Sequence, residues 1–343
     1  MRKLLNTLYV TKPESYLTKE GDNVVVKVEG EDNFRIPIHN LEGIVCMGYM
    51  GASPQLMRLC SDNGVGLSFL SPNGFFLARV SGKVKGNVLL RRTQFRYADD
   101  PVMSLDLSRR FIIGKLVNCR MVLGRSLRDH ADVIDNARVK TVEDYLIDNI
   151  NRVPDSPDCD FLRGIKGNCA KFYFSAMNEL ILKQKNDFFI KERNRRPPLD
   201  NMNALLSFLY TLLAHDMESA LETVGLDPYV GFLHTDRPGR ASLSLDMMEE
   251  LRPFMADRLA LNLINLRKIK GSGFIKKENG AVFMTDDCKK EIIASWQKRK
   301  QDQIKHPYLG ENIPVGLLPY AQAMLMARCL RGDIDGYPPF FMN

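Results

Sequence analysis

The sequence has no long apolar run. None approaches the roughly 20 residues that a helix needs to cross a bilayer, so no helical membrane span is expected. The opening, Met1-Arg2-Lys3 followed by LLNTLYV, turns polar too soon for the apolar region of a secretory leader. The seven cysteines (46, 60, 119, 159, 169, 288 and 329) are odd in number, scattered, and contain no CxxC pair. That argues against a cysteine-built zinc site and suits small core residues in a reducing compartment, so a cytoplasmic protein is expected. No internal repeat is visible. With 45% apolar and 26% charged residues the chain is neither disordered nor fibrous, and 343 residues suffice for one large or two ordinary domains.

Lysine and arginine outnumber aspartate and glutamate by 48 to 41, a net charge of +7. The surplus is mild, and its distribution says more. Lys83, Lys85, Arg91, Arg92 and Arg96 form one cluster; Lys183, Lys185, Lys191, Arg193, Arg195 and Arg196 form a second. A third runs through Arg267, Lys268, Lys270, Lys276 and Lys277 and continues at Lys298, Arg299, Lys300 and Lys305. Any one of these suits a solvated face; several together suit a phosphate backbone.

Residues 4–90 are rich in β-branched and aromatic runs divided by Gly, Asp and Asn. YLTKEGDNVVVKV has the form of a hairpin with Glu20-Gly21-Asp22-Asn23 at its tip. SPQLMRLCSDNG is expected as one helix, capped by Ser53 and stopped at Gly64, and two more strands should flank the turn Ser71-Pro72-Asn73-Gly74. The strand pattern stops within RTQFRYADDP. From Pro101 apolar residues recur at helical spacing (Leu107, Phe111, Ile112, Leu116, Cys119, Val122), and 141–152, 160–184, 201–224, 243–265, 286–300 and 316–331 follow the same rule. The expected fold is an α+β multidomain chain: a small β-rich N-terminal domain at 1–92 that packs on a second copy or a partner, a linker at 93–101, and a large all-α catalytic domain at 102–343. Two basic connectors interrupt the helices, Asn186–Asp200 and a hairpin-like excursion at Lys268–Ala281.

The stretch from Gly225 to Arg258 carries the candidate chemistry. A turn at Asp227-Pro228 leads into an apolar run that ends on His234, and a Gly/Pro loop then precedes a helix that Ser242 or Ser244 can cap. Asp246, Glu249, Glu250 and Asp257 fall on its polar side. Asp246 and Glu249 are three apart, so they neighbour one another on one surface. Pro253 removes the hydrogen-bond partner of the Glu249 carbonyl and should kink the helix there. An imidazole facing such carboxylates suits a divalent metal, but acids in a first helical turn and a lone structural histidine are also ordinary.

A third element bears on the choice. In DFLRGIKGNCAKFYFSAMNELIL the core face is expected to be Leu162, Ile165, Cys169, Phe172, Ala176 and Leu180, and the polar face Asn168, Lys171, Ser175, Asn178 and Glu179. Lys166 shares a separate stripe with Ala170, Tyr173 and Met177, between Gly164 and Gly167, as if something approached the backbone closely. An acid at 166 could complete a metal site with His234 and Glu249; a protonated lysine has no lone pair to offer.

LRGIxGNxAxxYF (Leu162–Phe174), GLDPYxGFLH (Gly225–His234) and SLxLDxMEExRP (Ser242–Pro253) together resemble the universal CRISPR-associated adaptation integrase and endonuclease family ("Cas-one"), nearest its type I-C branch, over essentially the whole chain. The resemblance implies a homodimeric, divalent-metal-dependent DNA endonuclease and integrase. It would insert short foreign DNA into a CRISPR array together with a small "Cas-two" partner, and in this branch often a "Cas-four" nuclease. It implies Mg²⁺ or Mn²⁺ held at Lys166 (the family's Glu position), His234 and Glu249, with Asp246 as a supporting catalytic acid, and double-stranded DNA held through its phosphates.

Lys166 departs from the family, which has Glu there. At about 4 Å and an effective dielectric of about 20, a +1/+2 pair repels by roughly 8 kcal/mol. The ammonium could instead take the metal's place and pair with Glu249. The expectation is a chain that folds and binds DNA but cuts and joins it poorly; the alternative is a metal-free DNA-binding scaffold.

Overall fold

The structure, a computed structural model, describes residues 6–12, 14–48, 50–71, 76–80, 82 and 88–342. Pro72-Asn73-Gly74 of the expected turn, and Lys83 and Lys85 of the first basic cluster, lie outside them. Two compact units result, Met1–Lys85 with Asp286–Lys298, and Gly86–Thr285 with Arg299–Asn343. Small and β-rich followed by large and mainly helical, they match the expected fold class.

The first unit holds β1 (Asn6–Val10), β2 (Tyr16–Glu20), β3 (Asn23–Lys27), β4 (Phe34–Pro37), β5 (Leu41–Met47), β6 (Gly51–Ala52), α1 (Pro54–Asp62), β7 (Gly66–Leu70) and β8 (Phe76–Val80). They form two four-stranded sheets, ordered β1-β5-β7-β8 and β4-β3-β2-β6. β5 lies between parallel neighbours and is buried almost throughout, as a doubly flanked parallel strand must be. The hairpin forms where its turn signal stands: Glu20 pairs with Asn23, and Gly21 takes the φ of +58° that so tight a loop requires. Leu17, Val24 and Val26 from one sheet and Ile44, Cys46 and Leu67 from the other join Leu56 and Cys60 of α1 in a single apolar core. The Ser53 hydroxyl caps α1, accepting from the Leu56 amide at 3.2 Å. Ser53→Ala is expected to cost this unit about 1 kcal/mol, read as a lower urea midpoint at unchanged slope.

The second unit begins with a correction. The expected linker at 93–101 is mostly helix: α2 (Val88–Asp99) runs through it, since RRTQFRYA contains no Pro or Gly to stop a helix. Its buried Gln94 donates to the Asp227 and Val230 carbonyls at 2.7 and 2.8 Å and accepts from the Asp227 amide at 2.9 Å. The helix therefore anchors the start of the His234 loop. Asp100 then caps α3 (Pro101–Asp129), against which α4 (Asn136–Arg152), α5 (Cys159–Leu180) and α7 (Ser242–Leu251) pack. α6 (Asn201–Val224) is capped by Asp200 and stopped by Gly225 at φ +85°. A π-helical turn, Arg252–Asp257, joins α7 to α8 (Arg258–Asn265), so the break expected at Pro253 is present. The 268–281 excursion ends in a hairpin of β9 (Phe274–Lys276) and β10 (Val282–Met284). Next come α9 (Asp286–Gln301), which belongs to the first unit as far as Lys298, then β11 (Gln303–Lys305), β12 (Asn312–Pro314) and α10 (Leu318–Leu330). No helix among the described residues is long and apolar enough to cross a membrane.

Two further expectations fail here. On α5 Phe172 is 42% exposed, and Tyr173 and Met177 are buried instead. Leu162, Ile165, Cys169, Ala176 and Leu180 are buried as expected, so the core face widens toward the Lys166 stripe rather than moving to it. Open space, with nothing of this chain within 4 Å, meets a Cβ added at Gly164 or Gly167. Neither serine caps α7: Pro228's carbonyl takes the Leu243 and Ser244 amides at 3.0 and 3.3 Å, and the N-cap is Ala241.

Candidate active site

Lys166 of α5, His234 of the loop after Pro228, and Asp246 and Glu249 of α7 converge on one point. α7 has no solvated face. Asp246, Glu249, Glu250 and, beyond the π-turn, Asp257 are all at most 1% exposed. The polar side inferred from the sequence is an internal one, so each carboxylate needs partners.

Asp246 holds the His234 loop. Its Oδ2 accepts from the Phe232 and Leu233 amides at 2.8 and 2.9 Å, and its Oδ1 from the His234 amide at 3.1 Å. His234 Nδ1 lies 2.5 Å from the same Oδ1. A carboxylate only accepts, so Nδ1 carries the proton and Nε2 presents its lone pair. GFLH needs its glycine for this: a Cβ at Gly231 would stand 2.7 Å from Ser242 Cβ and 2.8 Å from Asp246 Oδ2. With both oxygens engaged and no exposure, Asp246 is a positioning residue.

Glu249 is wrapped in cations. Lys115 of α3 donates to its Oε2 at 2.6 Å, while Arg252 of the π-turn reaches Oε1 at 2.7 Å and Lys166 lies 3.6 Å from Oε1. Burial alone would raise this carboxyl's pKa; Arg252, Lys115 and Lys166 outweigh it and hold it well below the usual range. Lys166 Nζ also lies 3.0 Å from His234 Nε2. The ammonium thus faces the imidazole lone pair and one Glu249 oxygen together. Burial lowers the Lys166 pKa, with Lys115 and Arg252 acting in the same direction against Glu249.

These residues do not fit a divalent cation. Three positive groups (Lys115, Lys166, Arg252) and two negative ones (Asp246, Glu249) leave a formal +1, which a dication would raise to +3. A Glu at 166 would instead give −1, which a dication would turn to +1. Among the described residues no group of three or more His, Cys, Asp or Glu is arranged to hold a metal ion.

Sequence reasoning missed Lys115, which lies 134 residues from Glu249 and gives no local signal. It also missed the support beneath the site. Tyr210 stacks between the Arg193 and Arg252 guanidiniums at 5.4 and 5.1 Å, and its hydroxyl, like that of Tyr173, bonds Asp257. Arg193, counted in a basic surface cluster, donates inward to Asn203 and Ser207, and Lys300 is buried against Asp216. At the site's mouth Arg163 donates to the Leu233 carbonyl at 2.7 Å. Beside it Tyr229, Asp236, Arg237 and Arg240 line an open cleft of about 340 Å³.

Asp246→Asn would set an amide N–H against one of four donors. A loss of about 2–4 kcal/mol is expected, seen as a lower melting temperature. The carboxyl of Glu250, behind Glu249, is pushed by burial up to about 8 against its hydrogen bonds from Tyr337, Gln322 and Phe340. The folded state therefore binds this proton more tightly than the unfolded state, and stability rises as pH falls from above 8 towards the ordinary 4.5. His306, whose pKa burial lowers from 6.5, opposes this only below about pH 6.5, and Glu249 only from about pH 4.5 downward. Melting temperature should accordingly increase between pH 8 and pH 6.5, and Glu250→Gln should flatten that slope.

The family model for CRISPR associated protein Cas1 matches residues 8–298. The chain is 50% identical over 340 residues to a CRISPR-associated endonuclease Cas1 of Chlorobaculum tepidum, covering 99% of each chain. It is 47% identical over 346 residues to one of Rhodospirillum rubrum, again covering 99% of each. Among solved structures it superposes on a CAS1 protein from Thermotoga maritima with a TM-score of 0.82 at 21% identity, covering 95% of this chain and 97% of that one. A casposase bound to integration product gives a TM-score of 0.85 at 19% identity, with 99% and 95% covered. A Cas6-RT-Cas1–Cas2 complex gives 0.84 at 18% identity, with all of this chain and 37% of that one covered. These structural likenesses speak for the fold; the family model and the two sequence relatives establish that this chain belongs to the Cas1 family of CRISPR-associated proteins.

Proposed function

We propose that this chain is a CRISPR adaptation protein of the DNA endonuclease and integrase type whose active site is locked by its own lysine. The observation that carries the reading is the Lys166 ammonium, 3.0 Å from His234 Nε2 and 3.6 Å from Glu249 Oε1. In the family reaction the 3′-hydroxyl of a short DNA fragment would form a new phosphodiester at a repeat phosphorus, breaking the existing P–O bond and releasing that strand's own 3′-hydroxyl. That chemistry would draw on a divalent ion, Mg²⁺ or Mn²⁺, which the residues around Lys166 do not accommodate. His234, oriented by Asp246, and Glu249 remain in position here, and the third ligand is replaced by a cation. The chain then holds DNA and joins it poorly.

The exposed Arg92, Arg96, Lys185, Lys191, Arg195, Arg196, Lys276 and Lys277 suit the phosphate backbone. Arg163, Arg237 and Arg240 suit phosphates at the site's mouth. A homodimer, a Cas2 partner and, in a type I-C-like system, a Cas4 nuclease complete the proposed assembly. The alternative, a metal-free DNA-binding scaffold within that assembly, is favoured by the site's formal +1 charge. It differs in that no single substitution should awaken it.

A strand-transfer assay on repeat-containing DNA with the Cas2 partner and Mn²⁺ separates the readings. Lys166→Glu should join DNA at least about a hundredfold faster than the chain as it stands. Equal, substantial activity of both would overturn the locked-site reading, and inactivity of both with salt-sensitive DNA binding would favour the scaffold.

A further inference from the structure

Glu249 and Glu250 are successive residues of α7, about 100° apart on the helix, and they meet different partners. Glu249 faces Lys115, Lys166 and Arg252. Glu250 faces the end of the chain. Its Oε1 accepts from the Tyr337 hydroxyl at 2.5 Å and from Gln322 Nε2 at 2.7 Å, and its Oε2 from the Phe340 amide at 3.0 Å. Gln322 is itself fixed, donating to the Pro338 carbonyl at 3.1 Å and facing His306 Nε2 at 3.0 Å. His306 Nδ1 accepts from the Leu309 amide, so its Nε2 carries the proton.

α3 seats both acids and the chain end on one helical turn. Lys115 holds the Glu249 side chain at 2.6 Å. One turn on, Asn118 Nδ2 donates to the Glu250 carbonyl at 2.7 Å and the Phe340 carbonyl at 2.8 Å, while its Oδ1 accepts from the Met342 amide at 2.9 Å. Gly114, one turn before Asn118, makes the same close approach: a Cβ there would stand 2.9 Å from Glu250 Cβ and 3.0 Å from Pro339 Cβ. The helix thus approaches α7 and the terminal segment too closely for any side chain. Phe340, fully buried, packs its ring 5.4 Å from Phe254 on the π-turn that also supplies Arg252.

We infer that Tyr337–Met342 is a strap belonging to the active-site scaffold: it clamps α7 from behind through Glu250 and Asn118 and so fixes where Glu249 stands. Packing residues 337–342 needs only apolar contact, and a hydrophobic residue at 250 would provide that without the cost of a buried polar group. The polar clamp instead sets a register. Slippage of α7 would leave Glu250, Asn118 and the strap's amides unpaired together, so the helix has one seat. Asn118, Glu250 and Tyr337 are positioning residues acting through Glu249. Their effect on the reaction rests on the proposed function, but their effect on α7 does not.

The test uses Tyr337→Phe, which keeps the ring packed 5.4 Å from Phe111 while removing the donor to Glu250, and Asn118→Leu as a second variant. Hydrogen–deuterium exchange is measured on the full chain. Amides of 242–257 should exchange about tenfold faster in either variant while those of α6 keep their rate. Faster exchange confined to 337–342, or an equal rise across all helices, overturns the inference. In the Lys166→Glu background the same variants should lower the DNA-joining turnover about tenfold with the KM for DNA unchanged. Loosened α7 amides without that change in turnover would also overturn it. Should Lys166→Glu itself stay inactive, the proposed function fails, and the exchange pattern alone decides the strap.

Discussion

The carboxylate of Glu249 is the point on which the helical unit closes. It is almost fully buried, and an unpaired charge there would cost several kcal/mol, so its position is set by the cations that reach it. Lys115 comes from α3, Lys166 from α5 and Arg252 from the π-turn, which ties three separate stretches of chain to one group of α7. Arg252 in turn stacks on Tyr210, which is bonded to Asp257, so α6 is drawn into the same arrangement. A divalent ion in such a place would normally gather acids. Here three side-chain cations supply the positive charge around Glu249.

Asp246 does for the loop what Lys115 does for the helix. It gathers three consecutive backbone amides and the imidazole, leaving His234 Nε2 directed at Lys166. The close approach of Gly231 to Ser242 and Asp246, and the Gln94 bonds at Asp227 and Val230, explain why GLDPYVGFLH reads as one unit: each end is fastened to a different helix. The loop and α7 are therefore fixed by their own contacts, and Lys166 meets both of them.

Much of this was legible in the sequence. Alternation and turn residues marked the β-rich unit, Ser53 marked the start of α1, the 201–224 periodicity matched α6, and Pro253 marked where α7 gives way to the π-turn. The three motifs placed Lys166, His234, Asp246 and Glu249 together, as they are. What escaped has definite physical causes. The α7 serines resemble caps, but a backbone carbonyl from Pro228 had already satisfied the first turn. Phe172 outranks Tyr173 on hydrophobicity alone, yet only Tyr173 can be buried with its hydroxyl on Asp257. Acids on α7 were assigned outward because their partners lie far along the chain, Lys115 by 134 positions and Tyr337 by 87. Pairing at such separations leaves no periodic trace.

The central claim, that a tethered ammonium occupies the cation position, is tested most directly at His234. With only five histidines in the chain, imidazole ¹⁵N resonances can be followed through a Mg²⁺ titration. Nδ1 should be protonated and Nε2 should accept a hydrogen bond, both unmoved by Mg²⁺ in this chain, with a saturable Nε2 shift once Lys166→Glu is made. A saturable Mg²⁺ shift at His234 Nε2 with Lys166 in place would contradict that claim.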